Sequence, residues 1–359
     1  MSLVVDWRTG HHASYDHVSS GGGELGEMSR SVSVAMCTRN GAAYVAEQVK
    51  SIIDQKLLPV EVVVSDDAST DGTVGIIRSL FGGVSPGHPA AGIRLTILEN
   101  VNPLGVTRNF EQAVRACTGR LIALCDQDDR WHPDRLSRQV GEFVRRPELD
   151  VLFTDASLVG AGGTSLGAAL FETLRLTPAD AVAIHDGDAF TRFIKRNLAT
   201  GATMMFRRRI CCVALPFPEE WIHDEWIAIT AAAVGQVDLL KEQLIDYRQH
   251  GSNQVGMRRT TLLVKVRRTL EPRGERNERL VRRSQLLVER LTSLGSRVAP
   301  ETLERARTKA RVERFRAALP AARLKRLRSV LAADRRGWYA EYCSRGRLDM
   351  VRDILQSHR

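Results

Sequence analysis

The 359-residue sequence is poor in features that would mark a disulfide scaffold, a zinc module or a membrane span. Its six cysteines stand at 37, 117, 125, 211, 212 and 343, with no CxxC pair and no zinc-ligand spacing. Cys211 and Cys212 are neighbours and do not easily bridge each other, so reduced thiols and a cytosolic compartment are expected. No run approaches about 20 uninterrupted apolar residues, which excludes a membrane-crossing helix from the sequence reading. Residues 1–30 have no apolar core, which argues against a secretory signal. No internal repeat is visible. What remains is 43% hydrophobic and 26% charged residues. That is a globular composition, and it excludes wholesale disorder, collagen and a coiled-coil rod. The length fits one large domain plus an appendage.

Charge is unevenly placed. Residues 257–359 carry 28 Lys/Arg against 11 Asp/Glu, a net +17, whereas residues 1–256 carry 24 against 31, a net −7. An acidic body with a basic C-terminal arm calls for two explanations. Residues 1–30 are polar, with Gly21-Gly22-Gly23 and the scattered His11, His12 and His17, and read as a flexible leader.

From Ser31 short apolar runs alternate with amphipathic stretches. Strands are expected at 32–37, 60–64, 95–98, 121–124 and 151–154, and helices at 44–53, 73–80, 106–116 and 133–144. The β-branched run Val60–Val64 has the character of a strand covered on both faces. This alternation predicts an α/β domain with a mainly parallel sheet wound in βαβ units. Residues 157–200 read as loops and short helices. Beyond them, a strand is expected at 202–206, a helix at 226–234 and two short strands at 237–240 and 245–247. From about residue 257 the texture is Leu/Arg/Glu-rich and helical, broken at Pro272, Pro300 and Pro320.

Ligands of open α/β sheets bind outside the carboxyl ends of the strands. Two acidic clusters are expected there: Ser65-Asp66-Asp67 after the second strand, and Asp126-Gln127-Asp128-Asp129 after Leu121–Cys125. Carboxylates crowded on a strand tip repel one another unless a cation neutralises them, and oxygen ligands suit Mg²⁺ or Mn²⁺. A solvated acidic turn ahead of a helix is the plainer alternative. Around the first cluster, Thr70 or Asp71 can serve as a helix cap, while Asp67 is placed to accept a hydrogen bond from a base or ribose.

Taken in order, the motifs Val34–Asn40, Val62–Thr73, Asn102–Asn109 and Cys125–Trp131 resemble the family 2 glycosyltransferases, inverting and metal-dependent enzymes of the GT-A fold that use nucleotide-sugar donors. His223-Asp224-Glu225-Trp226 and Tyr247–Gly256 bring the rhamnosyltransferase-like branch to mind as the most similar. The resemblance covers about residues 31–256, leaving 257–359 as a basic helical region. It implies that Thr38, Asn40, Asp67, Asn109 and Asp126 bind the donor. It also implies that Asp126 and Asp128 hold the divalent ion, with Asp128 in direct contact. Asp224 would be the general base. The related pattern has an aromatic where Glu225 stands here, so Glu225 is the alternative base. His250 is a candidate contact for phosphate or metal.

The expected reaction moves a sugar, rhamnose by resemblance, from a nucleotide-diphosphate donor to a hydroxyl of a glycan or lipid-linked acceptor in bacterial surface polysaccharide synthesis. Two readings compete with it. A nucleotidyltransferase would bring a Gly-rich basic loop after the first strand, but Cys37–Gly41 has one glycine. A non-catalytic sugar-nucleotide or nucleic-acid binder leaves Asp126, Asp128 and Asp224 without a role. The basic arm reads either as a surface helix pair packed on the body or as a peripheral contact with the anionic inner face of the membrane. No nucleic-acid motif accompanies its charge, so nucleic acid is set aside.

Overall fold

The computed structural model describes residues 31–250 and 274–356. The leader 1–30 and the segment 251–273, which includes Pro272 and most of the Tyr247–Gly256 motif, lie outside the described residues.

Among the described residues, nine strands form one sheet. They are β1 (Val32–Thr38), β2 (Glu61–Asp66), β3 (Arg94–Glu99), β4 (Leu121–Cys125), β5 (Arg130–Trp131), β6 (Leu149–Gly160), β7 (Ser165–Ala169), β8 (Met205–Arg207) and β9 (Gln236–Gln249). The order is β3-β2-β1-β4-β8-β6-β9-β5, with β7 on β6. β3, β2, β1 and β4 run parallel, as the strand–helix alternation predicts. β8 is antiparallel to both β4 and β6, while β6 and β9 are parallel. Every residue of β1, β2 and β4 is buried. That is the consequence of helices covering both faces, and it is why these strands read as continuous apolar runs.

The crossover helices are α1 (Val45–Ile53), α2 (Thr73–Gly82), α3 (Val106–Ala116) and α4 (Arg135–Arg145). In α1, Val45, Gln48, Val49 and Ile52 are buried at helical spacing. In α3, Phe110, Ala113 and Val114 are buried. The chain passes from β1 to β2 and β3 on one side, then returns to the other side of β1 as β4. The order therefore reverses between β1 and β4, and a crevice opens at their carboxyl ends.

Three expectations are corrected beyond this half. Residues 157–200 are less irregular than their sequence implies: β6 continues to Gly160 and turns back as β7, before the helices α5 (Pro178–His185) and α6 (Ala189–Phe193). The two short strands at 237–240 and 245–247 are one, because β9 carries its polar Lys241-Glu242-Gln243 centre through the sheet by register shifts opposite β6. The strand expected at 202–206 starts at Met205, after a 3₁₀ turn at Gly201–Thr203.

Helix α7 (His223–Ala232) precedes β9. Among the described residues the C-terminal region is not a helix pair but holds five α-helices: α8 (Gly274–Ser293), α9 (Pro300–Ala317), α10 (Arg323–Arg335), α11 (Trp338–Tyr342) and α12 (Arg347–Leu355). Pro300 occupies the first turn of α9, where its missing N–H costs nothing. Leu287 and Leu291 of α8 and Tyr339 of α11 belong to the same buried apolar cluster as Val34, Leu124 and Phe153. Among the described residues no helix is long and apolar enough to cross a membrane.

Candidate active site

The carboxyl ends of β1 and β2 are knitted together by side chains. Thr38 Oγ1 donates to Asp66 Oδ2 at 2.7 Å, and the Ser69 N–H and hydroxyl also donate to Asp66. Asp71 accepts from Thr73 N and Oγ1 and from Ala42 N, so it organises both the start of α2 and the loop after β1. Asn40 sits at φ 47° and accepts from Thr70 N at 2.9 Å. Asp66 and Asp71 build the floor, and exposed Asn40 stands at the rim.

Asp67 is buried, with both oxygens engaged. Leu104 N donates to Oδ1, Gly105 N to Oδ2 at 3.2 Å, and Arg39 lies 3.3 Å from Oδ2. Asp67 thus anchors the loop 100–105, whose Val101 and Leu104 are exposed. Asn109 serves as a brace rather than an open contact. It accepts from Ser65 Oγ at 2.6 Å and donates to Ser65 O at 2.9 Å, tying buried α3 to β2 beneath the crevice. The sequence offers it for donor binding; its burial within these bonds explains the different use.

The second cluster follows β4. Gln127 turns away from its acidic neighbours and clamps the loop after β1, accepting from Arg39 N at 2.8 Å and donating to Arg39 O at 3.0 Å. A Cβ on Gly41 would fall 2.2 Å from Gln127 Oε1, so this close approach requires glycine. Asp128 Oδ2 pairs with His250 Nε2 at 2.7 Å, and the His250 ring stacks on Tyr44. Asp129 is buried; Oδ1 accepts from Arg248 N at 2.9 Å, and Oδ2 has no protein partner. Burial, then the charges of Asp128 and Asp224, push the Asp126 carboxyl above the usual range.

Two buried arginines compensate this negative corner. Arg248, on β9, donates to Asp128 O and Ala161 O, pairs with Glu47, and lies 5.1 Å over Tyr44. Arg135 donates to Leu124 O at 3.2 Å and lies 3.7 Å over the Trp131 ring. Burial pulls its guanidinium down to about 10. Burial, and then the charges of Asp126, Asp129, Asp128 and Asp224, push the Tyr247 hydroxyl above its usual range. Arg248 and Tyr247 sit inside the quoted Tyr247–Gly256 motif, but nothing local in it marks them as counter-charge and lining.

The opposite wall begins α7. Asp224 Oδ2 accepts from Gly201 N at 2.8 Å and Oδ1 from Glu225 N at 2.6 Å. Burial raises its carboxyl to about 6, against the lowering effect of these N–H groups and of Arg283. Glu225 forms an ion pair with Arg283 of α8. The Arg283 guanidinium lies 4.1 Å over the Trp221 ring, and Trp221 Nε1 donates to Arg283 O at 3.0 Å. His223 is buried and stacks on Phe110 at 3.8 Å, with neither ring nitrogen partnered. Burial lowers it to about 3, so the ring is neutral. Trp226 is a core residue, donating to Ala214 O. Arg283 was not singled out in the sequence because it looks like every other arginine of that helix.

The crevice therefore brings Thr38, Asn40, Asp67, Asp126, Asp128, His250 and Asp224 to one edge of the sheet. The structure keeps Asn109 below it and pairs Glu225 with the C-terminal region.

A crevice at a strand-order reversal, walled by carboxylates on both sides, defines an α/β protein whose candidate ligand site lies at the carboxyl ends of its strands. Residues 33–211 match the model of glycosyl transferase family 2, and the chain belongs to that family. It is 32% identical to the putative teichuronic acid biosynthesis glycosyltransferase TuaG of Bacillus subtilis, over 42% of this chain and 56% of that protein. It is 32% identical to the dTDP-rhamnosyl transferase RfbG of Shigella flexneri over 30% and 37%. An uncharacterised protein of Mycobacterium tuberculosis is 28% identical over 61% of this chain, which spans 59% of that relative's length. Among solved structures, Staphylococcus aureus TarS 1–349 in complex with UDP-GlcNAc aligns over 90% of each chain, with 16% identity and a TM-score of 0.48.

Proposed function

We propose that this chain transfers a sugar from a nucleotide-diphosphate donor to a hydroxyl of a glycan or lipid-linked acceptor, with inversion, in polysaccharide synthesis at the cytoplasmic side of the membrane. The observation that carries this reading is the division of labour at the start of α7. Asp224 stands within charge range of Asp126, while Glu225 is neutralised by Arg283. Asp224 is then the base. Two backbone N–H groups fix its oxygens. Burial raises it to about 6, which leaves it ionised at neutral pH yet a stronger base than an ordinary carboxylate. It takes the proton of the acceptor hydroxyl as that oxygen attacks the anomeric carbon opposite the leaving diphosphate. One displacement inverts the centre.

The oxygen-rich corner suits a hard cation. Asp126 and Asp128 offer carboxylates, and Asp129 Oδ2 is buried without a partner. Among the described residues no group of three or more His, Cys, Asp or Glu side chains encloses an ion. Asp126 and Asp128 would therefore hold Mg²⁺ or Mn²⁺ together with donor phosphates and water. When bound, such an ion supplies positive charge to the departing diphosphate. His250 braces Asp128 from behind. Thr38, Asn40 and Asp67 shape the nucleoside end. The likeness to a dTDP-rhamnosyl transferase makes dTDP-rhamnose the first donor to try.

The test is donor binding across UDP-, GDP- and dTDP-sugars with Mn²⁺ or EDTA. The reading expects one donor class to bind only with the metal, and Asp128→Ala to abolish that dependence. Equal binding in EDTA, or an unchanged Asp128→Ala, overturns it.

A further inference from the structure

Three acids of the C-terminal helices point inward. Glu313, Asp349 and Asp353 are buried. Asp353 accepts from Arg316 Nε at 2.7 Å and from Tyr339 Oη at 2.9 Å, and Lys309 pairs with Glu313 at 2.7 Å. Arg326 is also wholly buried. Its guanidinium donates to the carbonyls of Pro320, Asp353 and Gln356, joining the start of α10 to the end of α12. The interior thus uses the acids and only a few of the cations.

The outside is left basic. Arg323, Lys325, Arg328, Arg335, Arg345 and Arg347 are exposed, while Glu341 is the exposed acid across residues 323–356. The same two helices expose apolar side chains at helical spacing. Leu324 is 88% exposed, and Leu327 and Leu331 follow it on the solvent side of α10. Leu348 is 68% exposed, with Val351 and Leu355 in the same relation on α12. Single exposed leucines are ordinary, but two stripes on adjoining helices bordered by cations are not.

We propose that α10 and α12 form a docking surface for an anionic lipid bilayer, with the leucines entering the headgroup–acyl boundary and the cations meeting lipid phosphates. An amphipathic helix with a basic border has this preference. A nucleic-acid backbone would satisfy the arginines and leave the leucines in water, so it fits less well. None of its residues is among those placed in the crevice, and its test needs no sugar donor.

The full-length protein is floated with phosphatidylcholine vesicles, with and without phosphatidylglycerol. It binds only the anionic vesicles, and less at raised salt. The pairs Leu324→Gln/Leu331→Gln and Leu348→Gln/Leu355→Gln are compared with Arg328→Gln/Arg335→Gln. Loss of about tenfold or more in either leucine pair supports the proposal and identifies the helix that enters the bilayer. The thermal midpoint of each variant verifies folding. No flotation with anionic vesicles, undiminished flotation in both leucine pairs, or displacement of the protein from vesicles by an RNA oligonucleotide overturns it.

Discussion

The carboxylate of Glu225 is held by the guanidinium of Arg283, which arrives from α8 and lies over the Trp221 ring. Through this pair a helix 58 residues downstream becomes part of the wall beside Asp224. The pair also separates two adjacent carboxylates that the sequence offers as base and alternative base. Glu225 is neutralised, and Asp224 is the one proposed to take the proton.

Asp224→Asn is expected to keep donor binding and lower transfer by about 10²–10⁴-fold, the usual worth of a positioned base. Glu225→Gln is expected to stay within about tenfold of the parent, because its carboxylate is occupied. Steady-state transfer with separate measurement of donor affinity checks both. Normal transfer by Asp224→Asn with loss in Glu225→Gln would reverse the assignment.

Arg283→Met removes a positive charge that lowers the Asp224 carboxyl. Asp224 must be ionised to act, so the acid limb of the kcat/KM profile moves to higher pH in the variant. A pH–rate profile reads this directly. An unmoved limb with a uniformly reduced rate would mean that Arg283 only supports packing.

Gly201→Ala adds a Cβ 2.9 Å from His223 Nε2 and 3.3 Å from Asp224 Cβ. The base has to shift, and a misplacement of this order costs about 10- to 100-fold in kcat. Donor affinity should change little. Kinetics beside a donor-binding isotherm distinguish this from general unfolding.

Glu61 gives a stability prediction. Burial alone would raise its carboxyl, but hydrogen bonds from Ser33, the Thr118 N–H and Arg94 outweigh burial and hold it at about 2. A depressed carboxylate contributes its stability above its unfolded pKa and loses it as pH falls through the folded one. The parent therefore loses this contribution between pH about 4.5 and about 2, and Glu61→Gln, less stable at neutral pH, falls less steeply across that window. Denaturant midpoints at several pH values test it.

The first half of the domain was legible because its signals are local. A buried parallel strand must be a continuous apolar run, so β1, β2 and β4 announce themselves, and the acids at their ends mark the crevice. Proline at the first turn of α9 and the spacing of α1 and α3 are equally local. Strands that owe their length to partners were not legible. β6 and β9 pair along a ladder interrupted by register shifts, and the polar stretch 241–243 looks like a loop until β6 lies beside it.

By itself, then, the sequence determined the fold class and the end of the sheet where the carboxylates cluster, because apolar periodicity and clustered acids act over a few residues. Only the tertiary structure decided that Asn109 braces α3, that Gln127 clamps the first loop, that Glu225 is neutralised by Arg283 and that Glu313, Asp349 and Asp353 point inward. Each of these depends on which distant side chain supplies the opposite charge or the missing hydrogen bond, and that is set by how the elements pack.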